Sequence, residues 1–252
     1  MNLMPPLIIA HRGDSAHRPE NTLASFASAL EVGAEVVELD VHLTRDGHPV
    51  VMHDPTVDRT TNGQGRIVDH TLAQMRSLNA GYPSRFAGEY DGQRVPTLAE
   101  VLNFLRGRCR VMIEIKPEAV TADADSGVEA VTVGEVRKAG MEKDVALISF
   151  SRTALLRCRA LGPEMLRGHL FIEGQPGDVI AGARAIGSEL VMPHKSMLSP
   201  ELRDRGREAG LKVATWVVDD PTELQSLAHY DLYGVGSNRP GVLLEALSEI
   251  EI

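Results

Sequence analysis

Short β-branched and apolar runs alternate with amphipathic stretches along the whole chain. Runs at 7–11, 36–41, 111–115, 145–150, 166–172, 190–193, 212–217 and 233–237 predict eight strands. Between them, Leu23, Phe26, Ala27 and Leu30 recur at the spacing of one helix face, as do Leu98, Val101, Leu102 and Leu105. Thr97 with Glu100, and Thr71 with Gln74, form capping-box patterns. Ser199-Pro200 opens a further helix, with proline at its first position. Gly33, Gly140, Gly187 and Gly210 fall where helices stop and a positive φ is wanted. No Gly/Ser/Pro linker divides the chain and no repeat of solenoid period is visible. Eight strands with intervening helices in 252 residues predict one closed (β/α)8 barrel, a TIM barrel, rather than an open doubly wound sheet.

A ninth run, 49–53, follows the second strand across Arg45-Asp46-Gly47-His48. Asp-Gly between two apolar runs predicts a hairpin. With Asp46 and Gly47 as a two-residue turn, facing positions sum to 93. Asp40 would then face His53 and share its side of the sheet. A hairpin is antiparallel, so this run is an excursion, and the segment 54–96 is expected to stand in place of the second barrel helix. A structured insertion of that length is usually functional.

Composition narrows the class. Hydrophobic residues make up 43% and charged residues 24%, which excludes a disordered chain. No apolar run approaches the ~18–20 residues of a membrane-spanning helix. The apolar stretch 4–10 holds two prolines and has no basic flank, so no secretory signal is expected. Lys+Arg number 26 against 35 Asp+Glu, a net charge of −9, which argues against nucleic acid or an anionic membrane as the partner. Cys109 and Cys158 form no CxxC and read as reduced thiols of a cytoplasmic protein. The expected partner is a small molecule.

The strand ends carry the chemistry, because a barrel of this kind builds its site at their C-terminal face. The first ends in His11-Arg12-Gly13, the second contains Glu38-Leu39-Asp40 and the third Glu114-Ile115-Lys116. Period-2 alternation puts Glu38 with Asp40, and Glu114 with Lys116, on shared faces. Buried carboxylates need partners. Two arrangements satisfy them: a hard divalent cation with oxygen ligands, Mg²⁺ or Ca²⁺ rather than Zn²⁺, or an internal ion-pair network with Lys116 or Arg12. His11 and His53 flank the cluster and suit acid–base work near neutral pH. Arg12 and Lys116 are fixed cations able to hold phosphate oxygens. His17, His48, His70, His169 and His229 read as structural, with His42 and His194 less defined.

Taken together, IIAHRGDSAHRPENTLASF, VELDVHLTRDGHPVVMHD, VPTLAEVL, IEIKPE and LKVATWVVDD closely resemble the glycerophosphodiester phosphodiesterase family, from about Ile8 to Pro240. The resemblance implies a (β/α)8 barrel with a small insertion after the His-Asp pair. It implies that Glu38, Asp40 and Glu114 bind a divalent metal, and that His11 and His53 are acid and base. Arg12 and Lys116 would hold the phosphate, Glu20 and Asn21 would shape the site, and Trp216 would wall the glycerol moiety. The reaction implied is hydrolysis of a glycerophosphodiester to sn-glycerol 3-phosphate and an alcohol. The alternatives are a lipid phosphodiester substrate, which needs an apolar wall near the mouth, and a barrel that binds without turnover. The insertion offers Leu72, Met75, Leu78, Tyr82, Phe86 and Tyr90 for such a wall. Two departures from the family pattern stand out. The usual Trp-Thr-Val-Asn is Trp216-Val217-Val218-Asp219 here, and the usual Thr-Asp is Ser237-Asn238. Both are expected to lie outside the catalytic set and to bear on the alcohol pocket.

Overall fold

The computed structural model describes residues 5–175, 177–227 and 230–249. Its strands are β1 (Leu7–His11), β2 (Val36–Leu43), β3 (Pro49–Val51), β4 (Arg110–Ile115), β5 (Val145–Ser149), β6 (Leu166–Phe171), β7 (Leu190–Pro193), β8 (Lys212–Thr215) and β9 (Gly234–Ser237). All but β3 run parallel, and β1 pairs with both β9 and β2, which closes the ring into a (β/α)8 barrel. The helices are α1 (Leu23–Glu31), α2 (Leu72–Ser77), α3 (Pro83–Phe86), α4 (Leu98–Leu105), α5 (Val128–Ala139), α6 (Arg152–Leu161), α7 (Val179–Ile186), α8 (Pro200–Glu208), α9 (Pro221–Leu227) and α10 (Pro240–Ser248). Among the described residues, no helix is long and apolar enough to cross a membrane.

Alternation along the strands builds two cores. Outward residues such as Val37, Leu39, Ile113 and Leu147 pack under the helices, while Ile9, Val36, Met112, Ile148, Leu170 and Met192 fill the barrel. The α4 stripe behaves as its spacing predicts, with Leu98, Val101, Leu102 and Leu105 fully buried. The Thr97 side chain accepts from Glu100 N, and Glu100 Oε2 accepts from Thr97 N at 2.9 Å. The Thr71–Gln74 box and the Ser199 cap also form. Helix α1 differs from its pattern: Leu23 is exposed, and the buried face is Ser25, Phe26, Ser28 and Ala29. The reason is the loop after β1. Ser25 Oγ donates to Arg12 O at 2.9 Å and Ser28 Oγ to Asp14 Oδ2 at 2.7 Å, so this face anchors a polar loop as well as a core.

Two expectations need correction. Helix α4 itself is the crossover between β2 and β4, so the segment 54–96 precedes the second barrel helix instead of replacing it. The hairpin register is also shifted by one: Val41 faces Val51 and His42 faces Val50, so facing positions sum to 92 and Asp40 falls opposite Met52, not His53. The turn has three residues, not two. Thr44 N donates to His48 O at 3.0 Å, Gly47 N donates to Thr44 O at 3.0 Å, and Gly47 takes φ +80°. That is the three-residue hairpin with a left-handed last position, which Asp-Gly fits as well as the two-residue form. Met52 N still donates to Asp40 O at 3.1 Å, and His53 lies one residue beyond this last cross-strand bond, so register does not set His53 opposite Asp40.

The segment after the hairpin makes a small core of its own from Val50, Met52, Val57, Ile67, Met75, Ala80 and Val95. It is tied down at both ends of the mouth. Leu72 N donates to Asp46 Oδ1 at 2.9 Å, and Arg85 donates to the carbonyls of Ser15 and Ala16 at 3.0 and 2.7 Å.

Candidate active site

The inward face of the barrel changes character toward its C-terminal end, and does so unevenly. On β1, β2 and β4, apolar Ile9, Val36 and Met112 give way upward to His11, then Glu38 and Asp40, then Glu114 and Lys116. On β5 to β8 the same level is Ile148, Phe150, Leu170, Met192 and Trp216. A cavity of about 300 Å³ opens between the two halves, lined on one side by His11, Arg12, Glu38, His53, Glu114 and Lys116 and on the other by those apolar residues. Asp40, Glu20 and Asn21 stand behind the charged wall.

Glu38, Asp40 and Glu114 are 4%, 0% and 7% exposed, and one oxygen of each lies within 4.8 Å of the others. The loop after β1 wraps around them. Arg12 and Asn21 both take φ 57°, a strained left-handed conformation for residues with side chains. The turn that Arg12 shares with Gly13 (φ +80°) lies so close to helix α1 that a Cβ at Gly13 would meet the Ser25 backbone at 2.7 Å. Held this way, Arg12 N donates to Glu38 Oε2 at 3.0 Å, Arg12 Nη1 to Glu20 Oε1 at 3.0 Å, and Asn21 Nδ2 to Asp40 Oδ2 at 2.8 Å. Lys116 Nζ is 2.9 Å from Glu114 Oε1 and 3.4 Å from Asp40 Oδ1. Neither of those oxygens has a donor aligned on it, although both are buried.

Three carboxylates and two fixed cations leave the cluster short of positive charge. Burial and the neighbouring Asp40 push the Glu114 carboxyl up to about 7, and burial with Asp40 and Glu114 pushes Glu38 well above its ordinary value. Burial also acts against Asp40, but Arg12 and Lys116 outweigh it and hold that carboxyl below the usual range. Such a set fits a hard cation. It offers oxygen donors only, two of them buried without an aligned partner, and a charge deficit that one divalent ion would remove.

His11 and His53 stand on either side. Desolvation and the Arg12 guanidinium push His11 down to about 4, and its Nδ1 bonds Asn238 Oδ1 at 2.7 Å. His53 Nδ1 bonds Asp54 Oδ1 at 2.7 Å, and its carbonyl accepts from His42 Nε2 at 3.1 Å. Arg59 then joins the two walls. It donates to Asp54 through Nε (2.6 Å) and Nη2 (2.9 Å), and to Glu20 through Nη1 (2.7 Å) and Nη2 (2.9 Å). Those bonds draw Asp54 down to about 2. Asp54 holds His53 and Glu20 holds Arg12, so one guanidinium sets the spacing of both. Alanine at Arg59 is expected to cut kcat by up to ~10²-fold, the cost of an ångström-scale misplacement, with KM changed little. Lysine should not restore it, because one ammonium cannot fork onto two carboxylates. Steady-state kinetics of both variants checks this; a lysine variant with full turnover would contradict it.

The predicted residues therefore come together. Sequence reading left His42 open and missed Arg59, Asp54 and, apart from Trp216, the apolar half of the cavity, where Phe150 meets Trp216 edge-on at 5.6 Å. Spacing alone could have raised Asp54 and Arg59, which lie next to His53, but not the pairing with Glu20. The two departures divide. Val217 lines the cavity, as a bearing on the alcohol pocket requires, whereas Asn238 touches His11 directly and Asp219 bonds Asn238, and neither of these two lines it. The aromatic residues of segment 54–96 do not line it either: Phe86 packs edge-on against Tyr82 and Tyr90, with ring centroids 6.2 and 5.1 Å away. His17, His48, His70 and His169 lie away from the cavity, His194 packs against Trp216 at 5.0 Å, and His229 is outside the described residues.

A profile of the glycerophosphoryl diester phosphodiesterase family matches residues 11–242. A glycerophosphodiester phosphodiesterase of Caldanaerobacter subterraneus is 36% identical, covering 96% of this chain and 97% of that protein; one of Bacillus subtilis is 32% identical over 95% and 86%. A phosphodiesterase of Oleispira antarctica, solved with its product sn-glycerol-3-phosphate, superposes with a TM-score of 0.89 at 30% identity, covering 97% of each chain. The barrel, its charged mouth and these likenesses define a phosphoric diester hydrolase. The chain belongs to the glycerophosphoryl diester phosphodiesterase family.

Proposed function

We propose that the protein hydrolyses a glycerophosphodiester to sn-glycerol 3-phosphate and an alcohol, with a divalent cation held by Glu38, Asp40 and Glu114. The observation that carries this reading is the buried carboxylate trio, two of whose oxygens face only the Lys116 ammonium with no donor aligned on them, set between two histidines in one cavity. An all-oxygen ligand set suits Mg²⁺ or Ca²⁺. When bound, such a cation supplies Lewis acidity toward a phosphate oxygen.

The chain's own groups do the rest. Arg12 and Lys116 hold the phosphate, with Arg12 set by Glu20 and the trio braced by Asn21. One imidazole, His11 or His53, takes the proton of the attacking oxygen, a water or the neighbouring glycerol hydroxyl, as the new P–O bond forms; where the hydroxyl attacks, a water then opens the cyclic phosphate to glycerol 3-phosphate. The other returns a proton to the alcohol oxygen as its P–O bond breaks. The uneven mouth suits an uneven substrate: the charged half takes the phosphate, and Trp216 with Phe150 walls the apolar half against the glycerol moiety. Segment 54–96 is read as an insertion into one phosphodiesterase domain, since its core runs into β3 through Val50. Comparing turnover of glycerophosphocholine with that of a long-chain lysophospholipid tests the reading. The small diester should be preferred; preference for the lipid would replace this substrate class, and turnover of neither would refute the reading.

The protonated carboxyls give the cation site a pH dependence with a defined sign. A cation must displace the proton that Glu114 carries below about 7. Affinity should therefore fall as pH drops below that value, by about tenfold per pH unit for each proton displaced. Calorimetric titration from about pH 5.5 to about 8.5 checks this, and a flat affinity would contradict it.

A further inference from the structure

Asn238 closes β9, and Asp219 lies in the loop after β8. They meet behind His11, which is 227 positions from Asn238 in sequence. Asp219 accepts three hydrogen bonds. Its Oδ1 takes them from Asn238 N (2.7 Å) and Ser237 Oγ (3.0 Å), and its Oδ2 takes one from Asn238 Nδ2 (2.8 Å). A carboxylate has nothing to donate, so the atom of Asn238 that faces it must be the amide nitrogen. The amide oxygen is thereby turned toward His11 Nδ1, 2.7 Å away, and Ser15 Oγ lies 3.0 Å from the same oxygen. An amide oxygen only accepts. Nδ1 must therefore carry a proton, and in the neutral ring Nε2 must not.

We propose that Asp219 and Asn238 are positioning residues that fix the tautomer of His11, so that Nε2 is the nitrogen that exchanges protons in the cavity. This rests on the reading of His11 as one of the two proton-transfer groups. The pair holds whichever of the two roles His11 plays, because the amide oxygen accepts from Nδ1–H of the neutral ring and of the imidazolium alike. The Asn238 bond raises His11 less than burial and Arg12 lower it, so the ring stays at about 4, where a carboxylate in contact would add charge attraction and raise it further. Both positions are among those at which the sequence departs from the pattern it resembles, Val217 and Ser237 being the others, and these two do so as a reciprocal exchange of Asn and Asp.

The exchange supplies the test. In Asp219→Asn, two amides face each other. Keeping the Asn238 N–H bonded requires a donor opposite Asn238 Nδ2, so Asn238 turns over and presents its NH₂ to His11. The ring proton must then move to Nε2. In the double variant D219N/N238D, the new Asn keeps both Oδ1 bonds and donates to the new Asp, which again accepts from His11 Nδ1. Nitrogen-15 spectra of histidine-labelled protein at neutral pH, with His11 assigned by its loss in His11→Gln, report the tautomer directly. Wild type and the double variant should show a protonated Nδ1 and a bare Nε2. Asp219→Asn should show the Nε2–H form and lose kcat by about 10–10²-fold with KM little changed, and the double variant should regain most of that loss. A wild-type ring protonated on Nε2, or an Asp219→Asn variant that keeps both the tautomer and the turnover of glycerophosphocholine, would overturn the proposal. A changed tautomer with unchanged turnover would uphold the relay and refute instead the proton-transfer role of His11.

Discussion

Alanine at His11 or at His53 is expected to lower kcat by about 10²–10⁴-fold, the usual share of general acid–base catalysis. Each ring is held from behind, His11 by Asn238 and His53 by Asp54, so each variant removes one proton-transfer group and leaves the carboxylate trio intact. The double variant should lose far less than the product of the two losses, because groups acting in one proton circuit are not additive. The leaving group separates them. A nitrophenyl ester departs without a proton, so it should restore turnover to the variant lacking the acid and not to the one lacking the base. Equal rescue of both, or of neither, would show that the two histidines do not divide the work.

The second large effect falls on the carboxylates. Glu114→Gln removes one anionic ligand from a site already crowded by Lys116, 2.9 Å away. Turnover should fall by at least about 10²-fold at a cation concentration that saturates the wild type, more than the loss of an outer-shell partner, and should rise again as cation is added. Loss that no amount of Mg²⁺ or Ca²⁺ reverses would assign Glu114 to the internal ion-pair network alone. Thermal melts of the variant, with and without cation, distinguish lost binding from lost folding.

Much of this was legible in the chain, and the divide follows range. Period-2 alternation in Glu38-Leu39-Asp40 and Glu114-Ile115-Lys116 settles which side chains share a face, because pleating enforces it within one strand. The stripe Leu98-Val101-Leu102-Leu105 and its Thr97–Glu100 box are likewise local, and both form as read. What stayed hidden depends on two segments meeting. Asp-Gly is compatible with hairpin loops of two or three residues, and only the ladder shows that Val41 faces Val51. The buried face of α1 follows from Ser25 and Ser28 reaching the loop after β1, which no helical period encodes. Arg59 with Glu20, and His11 with Asn238, are contacts across the barrel mouth between residues that nothing in their neighbourhoods links. The apolar half of the cavity was missed for a different reason: Phe150, Leu170 and Met192 read as ordinary core until closure of the ring sets them opposite the charges.

The central claim is that the buried trio holds a divalent cation on which turnover depends. Its most direct test is to dialyse the protein against chelator, verify its metal content by elemental analysis, and titrate Mg²⁺ or Ca²⁺ back while following glycerol 3-phosphate release. The account predicts no turnover in the stripped protein and full recovery at saturating cation, with one ion bound per chain. Full turnover in protein verified as metal-free would contradict it.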